Sequence, residues 1–293
     1  MNTENIMLHR IVTYGRMIKF SHTIFALPFA LASVVLAQRE YPVTFRLLFL
    51  ILLAMVGARS AAMGFNRLTD AEIDAKNPRT SARAIPAGTL TKRSAALFVA
   101  ASSVLFIFSS FLINRLCFYI SAPILLILFS YSFTKRFTWF SHLYLGITIS
   151  LAPLGAWIAV TGSFSTSILV LCLALLTYIS GFDILYSCQD AEFDKKAGLY
   201  SVPARWGIKT AFRISSALHI ISFSFLCLIC PVFDMGPVYM VLVGVIGFLL
   251  ILEHRLINPD DLSKIRVAFF NVNSMISIIL FLAVFLDEWG KHL

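Results

Sequence analysis

The sequence predicts an all-α fold: a polytopic membrane helical bundle of about nine transmembrane helices, with cytoplasmic cap loops after helices two and six. Three observations carry that expectation. Only 13% of the 293 residues are charged, about half the share in a soluble domain. Mean hydropathy is +0.84, and 59% of residues are hydrophobic, 27 of them Phe. Apolar stretches recur along the chain, each near the ~20 residues that cross a bilayer.

Taken in order, residues 1–19 are polar and basic, with no cleavable signal expected, because the first apolar stretch runs into others of its kind. Residues 20–37 and 47–65 give the first two spans. Spans 94–113 and 116–133 follow, divided only by Asn114-Arg115. Residues 141–161, 166–186 and 211–230 make the fifth to seventh spans, 237–252 a short eighth, and 267–286 the ninth. Lys and Arg concentrate in cytoplasmic loops of membrane proteins. Nineteen of the 24 lie at the N-terminus (Arg10, Arg16, Lys19), in the loops after even spans or, as Arg213, at the cytoplasmic edge of the seventh span. Arg39, Arg46, Arg115 and Lys291 fall opposite, and Arg59 alone lies deep inside a span. The N-terminus and the even loops are therefore expected on the cytoplasmic side of the cell (inner) membrane. The net charge of +9 follows from that topology and from attraction to anionic lipid; it implies no nucleic acid, and no obligate protein partner is evident. Of the five cysteines, Cys227 and Cys230 have redox spacing, but within an apolar helix they read as small core residues.

The acids are distributed differently. Seven of fifteen (Asp70, Glu72, Asp74, Asp183, Asp190, Glu192, Asp194) sit in two short cytoplasmic stretches. "DAEID" at 70–74 echoes "DAEFD" at 190–194, and "IPA" at 85–87 echoes "VPA" at 202–204, the mark of a divergent internal duplication. On a continuous helix Asp183, Asp190 and Asp194 share an arc of about 40°. Asn66, Asp70 and Asp74 share one face with Arg59, seven residues before Asn66. An Arg inside a span normally faces a polar interior. Each helix therefore presents a polar stripe leading to a cytoplasmic mouth. Hard carboxylate and amide oxygens suit Mg²⁺, which takes one or two carboxylates together with substrate phosphates. Two such clusters imply two or three ions and a polyanion such as a diphosphate. Standing at an open mouth, these acids are expected to contribute little to packing. The rival reading is a transporter of cations or organic anions, but that predicts paired broken helices at the midplane, and Pro28, Pro123 and Pro153 are not paired around the acids.

These motifs resemble the UbiA-type superfamily of intramembrane prenyltransferases, whose pattern is N-x-x-x-D-x-x-x-D after the second helix and D-x-x-x-D after the sixth. Here they are Asn66…Asp70…Asp74 and Asp190…Asp194, with Arg59, "PRTSARAIPAG" (78–88), "YSFTKRFT" (131–138), Gly198, Ser201 and Gly207 in keeping. Ala84 departs from the pattern, where many members have Pro. The match looks closest to the 4-hydroxybenzoate polyprenyltransferase branch. "MIKFSHTIFALPFAL" (17–31) and "DILYSCQDAEFD" (183–194) also resemble a subgroup linked to menaquinone made through futalosine, whose acceptor is 1,4-dihydroxy-6-naphthoate.

The resemblance implies one transmembrane prenyltransferase domain over residues 1–293, working on a polyprenyl diphosphate and an aromatic hydroxy acid in membrane lipid. Mg²⁺ on Asn66, Asp70, Asp74, Asp190 and Asp194 neutralises the leaving diphosphate. Arg79, Arg83 and Lys135 are phosphate partners. Arg59 or Arg136 receives the acceptor carboxylate, with Arg136 preferred. Asp183, which no metal motif claims, orients a Lys or takes the ring proton. Tyr131 and Tyr186 place hydroxyls near the mouth or act as interface anchors, and His22 lies at the edge of the first span.

Overall fold

The computed structural model describes residues 12–262, 265 and 268–291. Arg10, Lys264, Arg266 and the start of the ninth expected span at 267 lie outside them. The described residues form helices and no named strand: α1 (Leu27–Ala37), α2 (Phe45–Thr69), α3 (Ala71–Lys76), α4 (Lys92–Ile113), α5 (Arg115–Thr134), α6 (Ser141–Thr161), α7 (Ile168–Ser187), α8 (Ala191–Ala197), α9 (Val202–Trp206), α10 (Ile208–Val232), α11 (Pro237–Leu256) and α12 (Asn273–Gly290). Eight helical stretches among them are long and apolar enough to cross a membrane: α2, α4, α5, α6, α7 continued by α8, α10, α11 and α12 with the turn before it.

The first expected span differs. Residues Phe20–Phe25 form a 3₁₀ helix and only Leu27–Ala37 is α-helical. Pro28, with no N–H to give, suits a helix start, so α1 begins there and has eleven residues. At 1.5 Å per residue that is about 16 Å, short of a bilayer core. The eighth span is longer than expected, because Pro237 opens it and it runs to Leu256.

The chain divides into two compact units. Unit 1 comprises the described residues up to Thr23 and Phe49–Phe133. Ala54 and Ala61 of α2, Phe106 of α4 and Leu125 of α5 share one buried cluster, and Phe65 stacks on Phe129 with ring centroids 4.4 Å apart. A second cluster, Met17, Ile18, Ala71, Ile85 and Ala95, anchors the loop after α2. Thr91 caps α4 by accepting from the Ser94 N–H at 3.1 Å.

Unit 2 comprises Ile24–Leu48 and Thr134–Leu293. Its central helix is α7: 72% of its apolar window is buried, against 50% or less for every other span. Gly146 of α6 lies against the Leu176 carbonyl and the Ser180 hydroxyl of α7, where no Cβ fits. Polar groups inside a membrane need internal partners, and unit 2 supplies them. Asn273 Nδ2 donates to Glu253 Oε1 at 2.9 Å, and the His219 and His254 rings are bonded at 3.0 Å. At the other ends of α1 and α12, Arg39 pairs with Glu288 and donates to the Phe233 carbonyl. Lys291 reaches Glu288 at 2.9 Å.

Candidate active site

The first acidic motif lies in unit 1, where the long helix breaks. Asp70 follows the end of α2 and is the N-cap of α3, with φ −90° and ψ 3°, and it makes no side-chain cap bond. Asp74 sits in the first turn of α3. Both are buried, at 2% and 4% exposure, so the expectation of acids free of packing at an open mouth is corrected. A buried carboxylate needs a partner, and Arg83 provides one: its Nη1 reaches both oxygens of Asp74 at 2.7 and 2.6 Å. The Asn66 amide can be oriented without ambiguity. Arg67 only donates, so Asn66 Oδ1 accepts from Arg67 Nη1 at 3.2 Å, and Nδ2 donates to Asp70 Oδ2 at 3.0 Å. Asn66 Oδ1 thus accepts one hydrogen bond from Arg67 and keeps a second lone pair. Arg67 itself is buried and donates through Nε to the Met17 carbonyl at 3.2 Å. The sequence reading counted it only as a loop charge.

The second motif, in unit 2, repeats the backbone of the first. Helix α7 ends at Ser187, Cys188–Asp190 is a 3₁₀ turn, and Asp190 is the N-cap of α8 with φ −103° and ψ 0°. Asp194 again falls in the first turn. The single-helix stripe expected for Asp183, Asp190 and Asp194 is therefore interrupted, since a 3₁₀ turn advances 120° per residue instead of 100°. Gly198 takes φ +68° to end α8, with the Leu199 N–H on the Asp194 carbonyl at 2.8 Å. The side chains of Asp190 and Asp194 are half-buried. The Ser201 hydroxyl hydrogen-bonds Asp194, and Lys135 and His142 lie within electrostatic reach of it.

Asp183, expected to meet a Lys or the ring proton, meets a histidine that the sequence reading passed over. His142 Nδ1 is 2.7 Å from Asp183 Oδ2, and the Val202 N–H donates to His142 Nε2 at 3.3 Å. Arg59 is half-buried: Nη2 donates to the Lys19 carbonyl at 2.8 Å, and the buried Nε has no hydrogen-bond partner. His22, outside the spans, is pushed down to about 3, first by burial and then by the positive charges of Lys19, Arg59 and Arg67. Arg136 and Arg79 are exposed, Tyr131 ends α5 half-buried, and Tyr186 is half-buried in the last turn of α7.

Among the described residues no three His, Cys, Asp or Glu groups make a closed metal cage. Each motif instead offers two carboxylates, the donor set of Mg²⁺ that keeps water and phosphate ligands.

Comparison with known proteins agrees with this architecture. The UbiA prenyltransferase family profile matches residues 26–275. A 4-hydroxybenzoate octaprenyltransferase of Nitrosomonas europaea is 30% identical over 244 residues, 82% of each chain. The structure of a UbiA homolog from Aeropyrum pernix superposes with TM-score 0.83 at 31% identity, over 91% of this chain and 98% of that one. A UbiA homolog from Archaeoglobus fulgidus bound to DMAPP and Mg²⁺ shares the fold at TM-score 0.72 and 20% identity, over 94% of this chain and 99% of that one. The chain belongs to the UbiA prenyltransferase family and is a multi-pass membrane prenyltransferase of the 4-hydroxybenzoate polyprenyltransferase type.

Proposed function

We propose that this enzyme transfers a polyprenyl group from a polyprenyl diphosphate to the ring of 4-hydroxybenzoate, in quinone biosynthesis. The observation that carries the reading is the twice-built motif: in each unit one aspartate caps a short helix where a long one ends, and a second follows one turn on. We read residues 1–293 as one catalytic domain, supported by the family match over residues 26–275.

Asn66, Asp70, Asp74, Asp190 and Asp194 would hold Mg²⁺, which would supply Lewis-acid neutralisation of the departing diphosphate. The chain's own residues do the rest. Asn66 also orients Asp70 through Nδ2. Arg79, Arg83 and Lys135 take phosphate oxygens, with Arg suited to two-point contact. Arg59 receives the acceptor carboxylate, supported by its unpartnered Nε and the cations around His22; exposed Arg136 is the less suited of the two. Asp183 takes the ring proton. Dryness protects the carbocation from water, and the apolar spans solvate the prenyl tail. The motif loops and the N-terminus face the cytoplasm, supported by the Lys and Arg distribution and by the pairing of Arg39 and Lys291 with acids.

The deciding experiment assays purified protein with a prenyl diphosphate and, in parallel, 4-hydroxybenzoate or 1,4-dihydroxy-6-naphthoate. Mg²⁺-dependent prenylation of 4-hydroxybenzoate is expected. Turnover of the naphthoate alone replaces the acceptor and keeps the chemistry; full turnover in chelator, with the protein verified metal-free, refutes the mechanism.

A further inference from the structure

The contacts of His142 have no counterpart in the metal motifs. His142 is the second residue of α6, 4% exposed, and its two ring nitrogens face different chemistry. Val202 presents a backbone N–H to Nε2 at 3.3 Å. An amide N–H only donates, so Nε2 carries the lone pair and the ring proton resides on Nδ1. That proton is directed at Asp183 Oδ2, 2.7 Å away. The neutral tautomer is fixed by the backbone, and Asp183 keeps Oδ1 for another proton, with its side chain 22% exposed.

The same ring ties the neighbouring segment in place. Val202 follows Ser201, whose hydroxyl holds Asp194. Ser201 also caps α9 by accepting from the Ala204 N–H at 3.4 Å. The Tyr200 N–H donates to the Lys135 carbonyl at 2.7 Å. One buried imidazole thus joins α6, the acid on α7 and the segment that steadies the second motif.

We infer that His142 is a positioning residue for prenyl transfer: it aims Asp183 at the ring hydrogen by holding one carboxylate oxygen and leaving the other open. This rests on the reading of Asp183 as the base. In the step concerned, the C–O bond to diphosphate has broken and the new C–C bond has formed. The ring C–H then gives its proton to Asp183 Oδ1, and its electron pair restores the aromatic ring. Nothing is oxidised or reduced. A base misaligned by an ångström loses up to about 100-fold in rate.

The test uses the full-length enzyme in detergent, saturated with Mg²⁺ and a prenyl diphosphate, with 4-hydroxybenzoate carrying hydrogen or deuterium on the ring. His142→Ala is expected to lower kcat by about 10- to 100-fold, with both KM values nearly unchanged. The deuterium isotope effect should exceed that of the wild type, because proton loss becomes slower than bond formation. A lost fold or a loosened metal site lowers activity without raising that effect. His142→Gln, whose amide can both donate and accept, should restore much of kcat. Val202→Pro removes the N–H that fixes the tautomer, at a first helical position where Pro is tolerated, and leaves the His142 side chain untouched. It should reproduce the raised isotope effect in weaker form, and it carries the test if His142→Ala does not fold. Turnover equal to wild type in His142→Ala, or a fall in kcat with an unchanged isotope effect, overturns the inference. Asp183→Asn separates the two readings. If it retains full turnover, the base assignment fails and takes the inference with it. If it is crippled while His142→Ala is normal, only the role of His142 fails.

Discussion

The two acidic motifs share a backbone but not an electrostatic setting. In unit 1 both carboxylates are buried, and Asp74 is matched by a full positive charge from Arg83. In unit 2 the corresponding Asp194 is half-buried, held by a hydroxyl, and has Lys135 within electrostatic reach. A buried carboxylate is costly until it is paired, so the first motif depends on its arginine for folding. The second retains more solvent and needs less. The two motifs thus share backbone geometry while their surroundings differ.

Four experiments sharpen or break this contrast. Asp70→Asn and Asp190→Asn should each cut kcat by on the order of 100-fold or more, as loss of a group that stabilises developing charge does. If one of them is silent, the motifs are not equivalent in chemistry. Next, Arg83→Ala leaves Asp74 buried without its partner and should destabilise the protein by ~2–3 kcal/mol. Ser201→Ala, which loses the hydroxyl's bond to Asp194 and the 3.4 Å cap on the Ala204 N–H, should cost about 1–2 kcal/mol. Thermal unfolding in detergent measures both, and the reverse order would remove the asymmetry. Arg59→Ala should raise KM for the aromatic acid about tenfold, through loss of a charge-assisted contact worth ~1.4 kcal/mol; Arg136→Ala should leave it near the wild-type value. An effect confined to Arg136→Ala returns the carboxylate to that residue. The smallest effect concerns His22, which is held down to about 3 in the folded protein against an ordinary 6.5. The unfolded chain takes up a proton that the folded one resists, so stability present above about pH 6.5 is lost as pH falls toward 3. His22→Gln should flatten that part of the stability profile. Identical profiles for wild type and variant would show that His22 is not held neutral by folding.

The fold and the motifs were legible in the sequence because both are written in local patterns. Span length and charge bias follow from bilayer thickness, and the echo of 70–74 in 190–194 is a matter of residue identity. The breaks at Asp70 and Asp190 were less legible, because helical periodicity assumes a continuous helix and neither break carries Gly or Pro. The pairing of Asp74 with Arg83 spans nine residues of loop, and that of His142 with Asp183 spans 41. Contacts of this kind depend on tertiary packing, which spacing along the chain does not report. Pro28 was visible, yet its effect in shortening the first span required knowing that the preceding turn is 3₁₀.

The Arg39–Glu288 pair joins residues 249 positions apart. Unit 2 begins at Ile24, is interrupted by Phe49–Phe133, and resumes at Thr134. During synthesis α1 therefore enters the membrane long before the acid that neutralises its neighbouring arginine has been translated. Loops this long are slow to close, and a ribosome adding about 5–20 residues per second leaves Arg39 waiting for many seconds. A chain cut short before α12 would keep both acidic motifs in its sequence and yet be unable to complete the helix set around α7. Such a product would leave Arg39 with the Phe233 carbonyl but without the Glu288 carboxylate that balances its charge.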